Sequence, residues 1–292
     1  MFLKKRKTFY FISIVLSLAS ILSILFYGLN LGIDFTGGSI MEFEYSKAPL
    51  VEEVKNVLPE IGEYTLQKKG DNGFILRTGE ITEQTHQDIV VVLKSLGEFI
   101  EETESFQNIG PVIGRELKSK TKIVIILSLL CILLYIAISF RKISRPVKSY
   151  IYGITSLIAL FHDVLIPLGV FSVLGKYYGV ELTIPIITAF LTVFGYSIND
   201  SVVVFDRVRE NLLKLKTNDF NEAVEISLKQ SIRRSLNTSF TTLIALLSIF
   251  LFGGETLKFF SFALILGIGL GTYSSLFLAT PLLVSYYKLR NK

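Results

Sequence analysis

The sequence predicts a polytopic α-helical membrane protein: six transmembrane helices, with one small α+β domain inserted between the first and the second. Three observations carry this. Half of the 292 residues are hydrophobic, too large a share for a water-soluble globule to cover with polar surface. Six apolar runs reach the roughly 20 residues that a helix needs to cross a hydrocarbon core about 30 Å thick. The cations gather between those runs and not within them.

The runs extend approximately from Phe9 to Leu29, Ile123 to Phe140, Tyr150 to Leu174, Thr183 to Phe205, Asn237 to Phe252 and Phe259 to Tyr286. Lys4 to Lys7 precede the first as they would a signal peptide, but its apolar stretch is too long and no small-residue cleavage site follows, so it reads as a retained anchor. Arg141, Lys142, Arg145 and Lys148, then Arg207, Arg209, Lys214, Lys216, Lys229, Arg233 and Arg234, then Lys288, Arg290 and Lys292 fall on the same side as Lys4 to Lys7. The opposite loops hold little beyond Lys176, Glu181, Glu255 and Lys258. Both termini are therefore expected in the cytoplasm, and the long segment after the first span outside it.

Three parts follow: residues 1–33 with the first span, an extracytoplasmic domain over 34–118, and spans two to six over 119–292. In the middle part a strand alternates through Ile40 to Tyr45, and Pro49 opens a helix bearing Leu50, Val54, Val57 and Leu58 on one face. Tyr64 to Lys68 and Phe74 to Thr78 form a hairpin across Gly70 to Gly73. A second helix from about Glu83 to Leu96 stops at Gly97, and a last strand follows near Phe99 to Thr103. The order β-α-β-β-α-β is that of a ferredoxin-like domain, one sheet face lying under two helices. Near residues 219–234, Asp219 and Glu222 form a capping pair ahead of the apolar side Phe220, Ala223, Val224, Leu228 and Ile232. This predicts a cytoplasmic helix lying in the membrane interface, its cations towards lipid headgroups.

Composition excludes several functions. Net charge is only +5, and the cations form no stripe with interleaved aromatics, which argues against a nucleic-acid partner. The single cysteine, Cys131, excludes an internal disulfide and a cysteine metal site. His86 and His162 are far apart in sequence, and no hydrolase, nucleotide or dinucleotide motif stands in a suitable context. Neither enzymatic chemistry nor a cofactor or metal is expected.

A charge at the bilayer centre costs about 2.5 to 3.5 kcal/mol on insertion scales, so an ionisable residue inside a span needs a partner or a function. His162 and Asp163 lie about 17 Å into the third span, close to the midplane. Asp200 lies about 25 Å along the fourth. Thr188, Thr192, Tyr196 and Asn199 or Asp200 form a polar stripe on the fourth span, and Arg234, Thr238, Thr241 and Ser248 form one on the fifth. Facing each other, such stripes conduct protons through trapped water or act as hydrogen-bonded packing; spacing leaves both open. Small residues Gly267, Gly269, Gly271, Ser274 and Ser275 let the last span approach a neighbour closely.

The runs GIDFTGG (Gly32 to Gly38), GPVIGREL (Gly110 to Leu117), FHD (ending at Asp163), GYSINDSVVVFDRVREN (Gly195 to Asn211), RRSLNTSFTTL (Arg233 to Leu243) and LFGG (ending at Gly254) occur in that order. Together they resemble the SecF family of bacterial protein-export subunits, within the resistance-nodulation-division superfamily. The resemblance implies partnership with SecD and the SecYEG channel, with YajC and YidC as further partners, and use of the proton-motive force to move exported polypeptides across the cytoplasmic membrane. It puts the essential membrane aspartate at Asp200 and the membrane arginine at Arg234, with Arg233 the alternative, and includes His162 and Asp163 in the pattern. The rival implication is a proton-coupled exporter of small solutes or lipids, since the superfamily contains many.

Overall fold

A computed structural model describes residues 3–140, 147–214 and 219–290. Arg141, Lys142, Arg145, Lys216 and Lys292, used above for orientation, lie outside them, as do the side chains of Lys214 and Glu255. In chain order the elements are α1 (Arg6–Tyr27), α2 (Ile33–Thr36), β1 (Gly38–Tyr45), α3 (Val51–Val57), β2 (Tyr64–Lys69), β3 (Gly73–Thr78), α4 (Glu83–Lys94), β4 (Phe99–Ile109), α5 (Pro111–Ser139), α6 (Ser149–Tyr178), α7 (Ile184–Lys214), α8 (Phe220–Phe252), α9 (Glu255–Ser274), a π-turn (Ser275–Ala279) and α10 (Thr280–Arg290). They fall into two units. One is α/β, formed by Asn30–Ile123 with Glu181–Thr183; the other is helical and takes the rest of the described chain.

In the α/β unit four antiparallel strands run in the order β2-β3-β1-β4, the ferredoxin-like arrangement that the sequence pattern predicts. Alternation along β1 sends Met41, Phe43 and Tyr45 into the core, where Val54 of α3 and Ile89 and Leu93 of α4 meet them. Thr82 caps α4, its hydroxyl oxygen accepting from the Thr85 amide at 3.2 Å. The Tyr45 hydroxyl donates to the Leu93 carbonyl at 2.9 Å, and burial pushes its pKa up to about 12. Strand β4 is twice the predicted length because its later residues, among them Gln107 and Asn108, are polar and exposed at a sheet edge, so they show no apolar alternation. Phe43 is buried and stacks on Phe74 at 5.6 Å and on Phe99 at 5.9 Å. Phe43→Ala is expected to cost about 3–5 kcal/mol of this unit's stability, read as faster amide exchange across residues 38–109 of the intact chain.

The helical unit supplies six helices long and apolar enough to cross a membrane among the described residues. Helices α1 and α5 leave large apolar side chains such as Phe11, Leu25, Ile126 and Leu134 exposed, whereas α6, α7 and the last span are the buried ones. Exposed Cys131 belongs to the outward-facing surface of α5. Helix α1 approaches α6 through small residues. A Cβ on Gly169 would lie 2.4 Å from Ser20 Cβ, and the Ser23 hydroxyl donates to the Gly169 carbonyl at 3.0 Å.

The segment near 219–234 differs from expectation. It is the start of one uninterrupted helix, α8, whose 33 residues span about 50 Å, and no break separates it from the fifth span. Its apolar side, Phe220, Ala223, Val224 and Leu228, is buried against protein. Phe220 meets Tyr287 of α10 at 4.7 Å, and Asn211 of α7 donates to Ser227 at 2.8 Å and to Gln230 at 3.0 Å. The apolar side of this segment is a helix-packing side.

Candidate functional site

The polar centre of the helical unit is assembled by α6, α7, α8 and the last span. Glycines bring the backbones together: a Cβ on Gly267 would stand 2.2 Å from Val193 Cγ2, and one on Gly271 would stand 3.1 Å from Ser197 Cβ. Being four residues apart, both lie on the face of α9 that rests on α7. A Cβ on Gly269 would meet nothing within 4 Å among the described residues, so this glycine is not needed for the approach.

Asp163 is completely buried. One carboxylate oxygen accepts from Ser197 of α7 and from Ser274 of the last span, each at 2.6 Å. The other lies 3.0 Å from Nδ1 of His162, whose ring is itself buried and faces Tyr273 at 6.1 Å between centroids. Among the described residues, the Nε2 atom of His162 has no hydrogen-bond partner. Asp200 is 9% exposed. It accepts from Ser235 of α8 at 2.5 Å and, through its other oxygen, from Ser275. Beside this pair Tyr196 donates to Ser239 at 3.3 Å, and Ser239 shares a proton contact of 2.5 Å with Thr272.

Of the residues singled out from sequence, His162, Asp163, Asp200 and Tyr196 thus enter the centre. No ion pair joins Asp200 to Arg234 among the described residues. Arg234 is exposed and lines a cleft of about 210 Å³ with Asp206, Arg207 and Gln230. Arg233 is exposed as well. Thr188, Thr192, Asn199, Thr238 and Thr241 lie on exposed faces of α7 and α8. The hydroxyls of Thr188, Thr192 and Thr241 donate back to carbonyls of their own helices. Exposed as they are, the threonines of both stripes lie outside the buried centre.

The partners that the sequence reading missed are serines. Ser227, Ser231, Ser235 and Ser239 recur every four residues on α8 and all are buried. That spacing was the available signal, and it marks a helix face turned one residue away from the Arg234–Thr238–Thr241 stripe. Ser274 and Ser275 read from sequence as spacers for close approach, yet each donates to a different aspartate. They follow one another directly where the last span passes into its π-turn, an irregularity that recurs at functional sites. A hydroxyl is small enough for tight helix packing and still donates, so the same residue type serves both purposes.

Six spanning helices, four of them about a buried polar centre, with an α/β unit inserted after the first, define a multi-pass membrane protein that builds a site between its spans. The model for the C-terminal region of the protein export membrane proteins SecD/SecF matches residues 89–289, and that for the SecD/SecF GG motif matches residues 22–49. Protein translocase subunit SecF of Thermobaculum terrenum is 40% identical, across 96% of this chain and 92% of that protein. The subunit of the same name from Petrotoga mobilis is 35% identical across 100% and 97%. The crystal structure of SecDF, a translocon-associated membrane protein from Thermus thermophilus, superposes with a TM-score of 0.84 at 31% identity. It covers all of this chain, which spans 38% of the SecDF chain. The chain belongs to the SecD/SecF family of protein-export membrane proteins, on its SecF side.

Proposed function

We propose that this chain is the SecF half of a proton-driven export device, working with SecD beside the SecYEG channel, YajC and YidC to draw polypeptides across the cytoplasmic membrane. Asp200 is the carboxylate that takes up and releases the proton. One observation carries this reading: a carboxylate buried between three spans, with a hydroxyl from α8 on one oxygen and a hydroxyl from the last span on the other. As an anion it accepts from both. Once protonated it must donate in one direction, so Ser235 or Ser275 has to turn.

Protonation thereby changes which helices are tied to α7. Moving one charge through 100 mV is worth about 2.3 kcal/mol, so a few protons supply enough to drive a domain motion. Asp163 with His162 forms the neighbouring relay position. The threonines and Asn199 on the exposed faces of α7 and α8 are surface for the SecD half, and the conduit is complete only when both halves meet. Following the cations, both termini are cytoplasmic and the α/β unit is extracytoplasmic. Every curated relative named above is a SecF subunit, which favours this reading over an exporter of small solutes or lipids.

The test is purification from native membrane followed by reconstitution into proteoliposomes. A SecD-type chain is expected to copurify, and polypeptide translocation to rise when a proton gradient is imposed. Purification without such a partner, with gradient-driven efflux of a small solute instead, would overturn the proposal.

A further inference from the structure

The short connection between α6 and α7 belongs to the α/β unit, although both flanking helices belong to the helical one. Three ties hold it. The Leu182 amide donates to the Asn30 carbonyl at 2.7 Å, and the Gly32 amide donates to the Leu182 carbonyl at 3.0 Å, making a parallel bridge between Leu31 and Leu182. The Glu181 carboxylate lies 2.5 Å from Nε of Arg77 on β3, with the two side chains only 11% and 18% exposed. Arg77 is itself held by Gln67 of β2, which accepts from its Nη1 at 2.7 Å. Gly32 eases this approach, since a Cβ there would crowd Thr183 at 3.2 Å and the Leu182 carbonyl at 3.3 Å.

The position of this loop along the chain matters. It follows Asp163 by fifteen residues to the end of α6 and precedes Asp200 by sixteen from the start of α7, or about 23 Å of helix on either side. The helices bearing both carboxylates thus converge on three residues anchored to the sheet. An α-helix is stiff along its axis, so a shift of α6 or α7 has to be passed into that anchor or break it. Burial raises the pKa of Glu181, against the opposing pull of Arg77 and with the charge of Asp34 adding to the rise. The pair also borders a cleft of about 490 Å³ that includes Glu63 and Tyr64 at the start of β2.

We infer that Arg77 and Glu181 are positioning residues for transport, forming the strap through which movement of α6 and α7 is delivered to the α/β unit. This rests on the proposed role of Asp200 but concerns a different step. The helices that take up the proton end in the strap, and the sheet bearing Arg77 holds its other end. Severing it therefore uncouples the two without closing the proton path.

The experiment measures proton flux and gradient-driven translocation in the same vesicles, holding the complete export complex with Arg77→Ala, Glu181→Gln or the exchanged pair Arg77→Glu with Glu181→Arg. Each single variant should lower translocation at least about fivefold, a usual scale for a coupling between sites, while flux stays at or above the unsubstituted level. The exchanged pair should regain translocation, because opposite charges again face each other. Translocation unchanged in the single variants would overturn the strap. So would flux and translocation falling together with no rescue by the exchange, since that marks a merely structural pair. Asp200→Asn in parallel separates the two proposals: if it leaves flux intact, the proton role of Asp200 fails whatever the strap variants do.

Discussion

Replacing Asp200 with Asn will remove the stimulation of translocation by a proton gradient while leaving the amount of protein in the membrane unchanged. The amide fills nearly the same volume and keeps an acceptor for one of the two serine hydroxyls, so the packing of α7 against α8 and the last span survives. It carries no exchangeable charge. The site is then fixed in one state, and the roughly 2.3 kcal/mol per charge and 100 mV that the membrane potential offers finds nothing to act on. Rates should fall on the order of tens-fold towards the level seen without a gradient. Asp200→Glu, which restores a titratable group at the wrong reach, should recover part of the activity. Full gradient stimulation in the Asn variant would remove Asp200 from the mechanism.

A second large effect is expected at Gly38→Ala. Gly38 has φ of +122°, and a Cβ there would lie 2.7 Å from the carbonyl oxygen of Thr78 on the paired strand. Backbone strain of about 1–3 kcal/mol adds to an overlap of similar size, against a domain stability that is typically about 5–15 kcal/mol. Gly37 is under the same constraint, with φ of +75° and a Cβ that would meet Pro111 Cα at 2.6 Å. Gly62 is the control: its φ is also +75°, but nothing stands within 4 Å, so Gly62→Ala bears the strain alone. Amide exchange across the α/β unit should be strongly accelerated in Gly38→Ala and only modestly in Gly62→Ala. Equal exchange in the two would mean that close approach does not explain the paired glycines after the first span.

Elements with a strong period were legible from the residues. The alternation in β1, the hairpin at Gly70 to Gly73 and the six apolar runs each reflect a rule that acts within a few residues. The centre was legible only in part. Asp163 and Asp200 stand out because a carboxylate in an apolar run is costly, whereas Ser235, Ser274 and Ser275 cost little anywhere and reveal themselves only by what they touch. Threonines at three- and four-residue spacing drew attention to the opposite faces of α7 and α8, since a threonine that bonds back to its own helix looks the same in sequence as one that lines a channel. Glu181 was counted only as one charge in a short loop, because its partner Arg77 lies 104 positions earlier in the sequence.

The five-residue wide turn at Ser275–Ala279 means that the final helix carries one surplus amino acid relative to regular winding. Excising a single residue there would remove the wide turn and restore ordinary winding, with everything downstream still in phase. Leu283 and Val284, wholly enclosed, would keep their places in the interior. The loss would fall on the widened turn itself, which begins at Ser275, the residue that donates to Asp200, so a one-residue deletion there would disturb the polar centre and spare the packing of Thr280–Arg290.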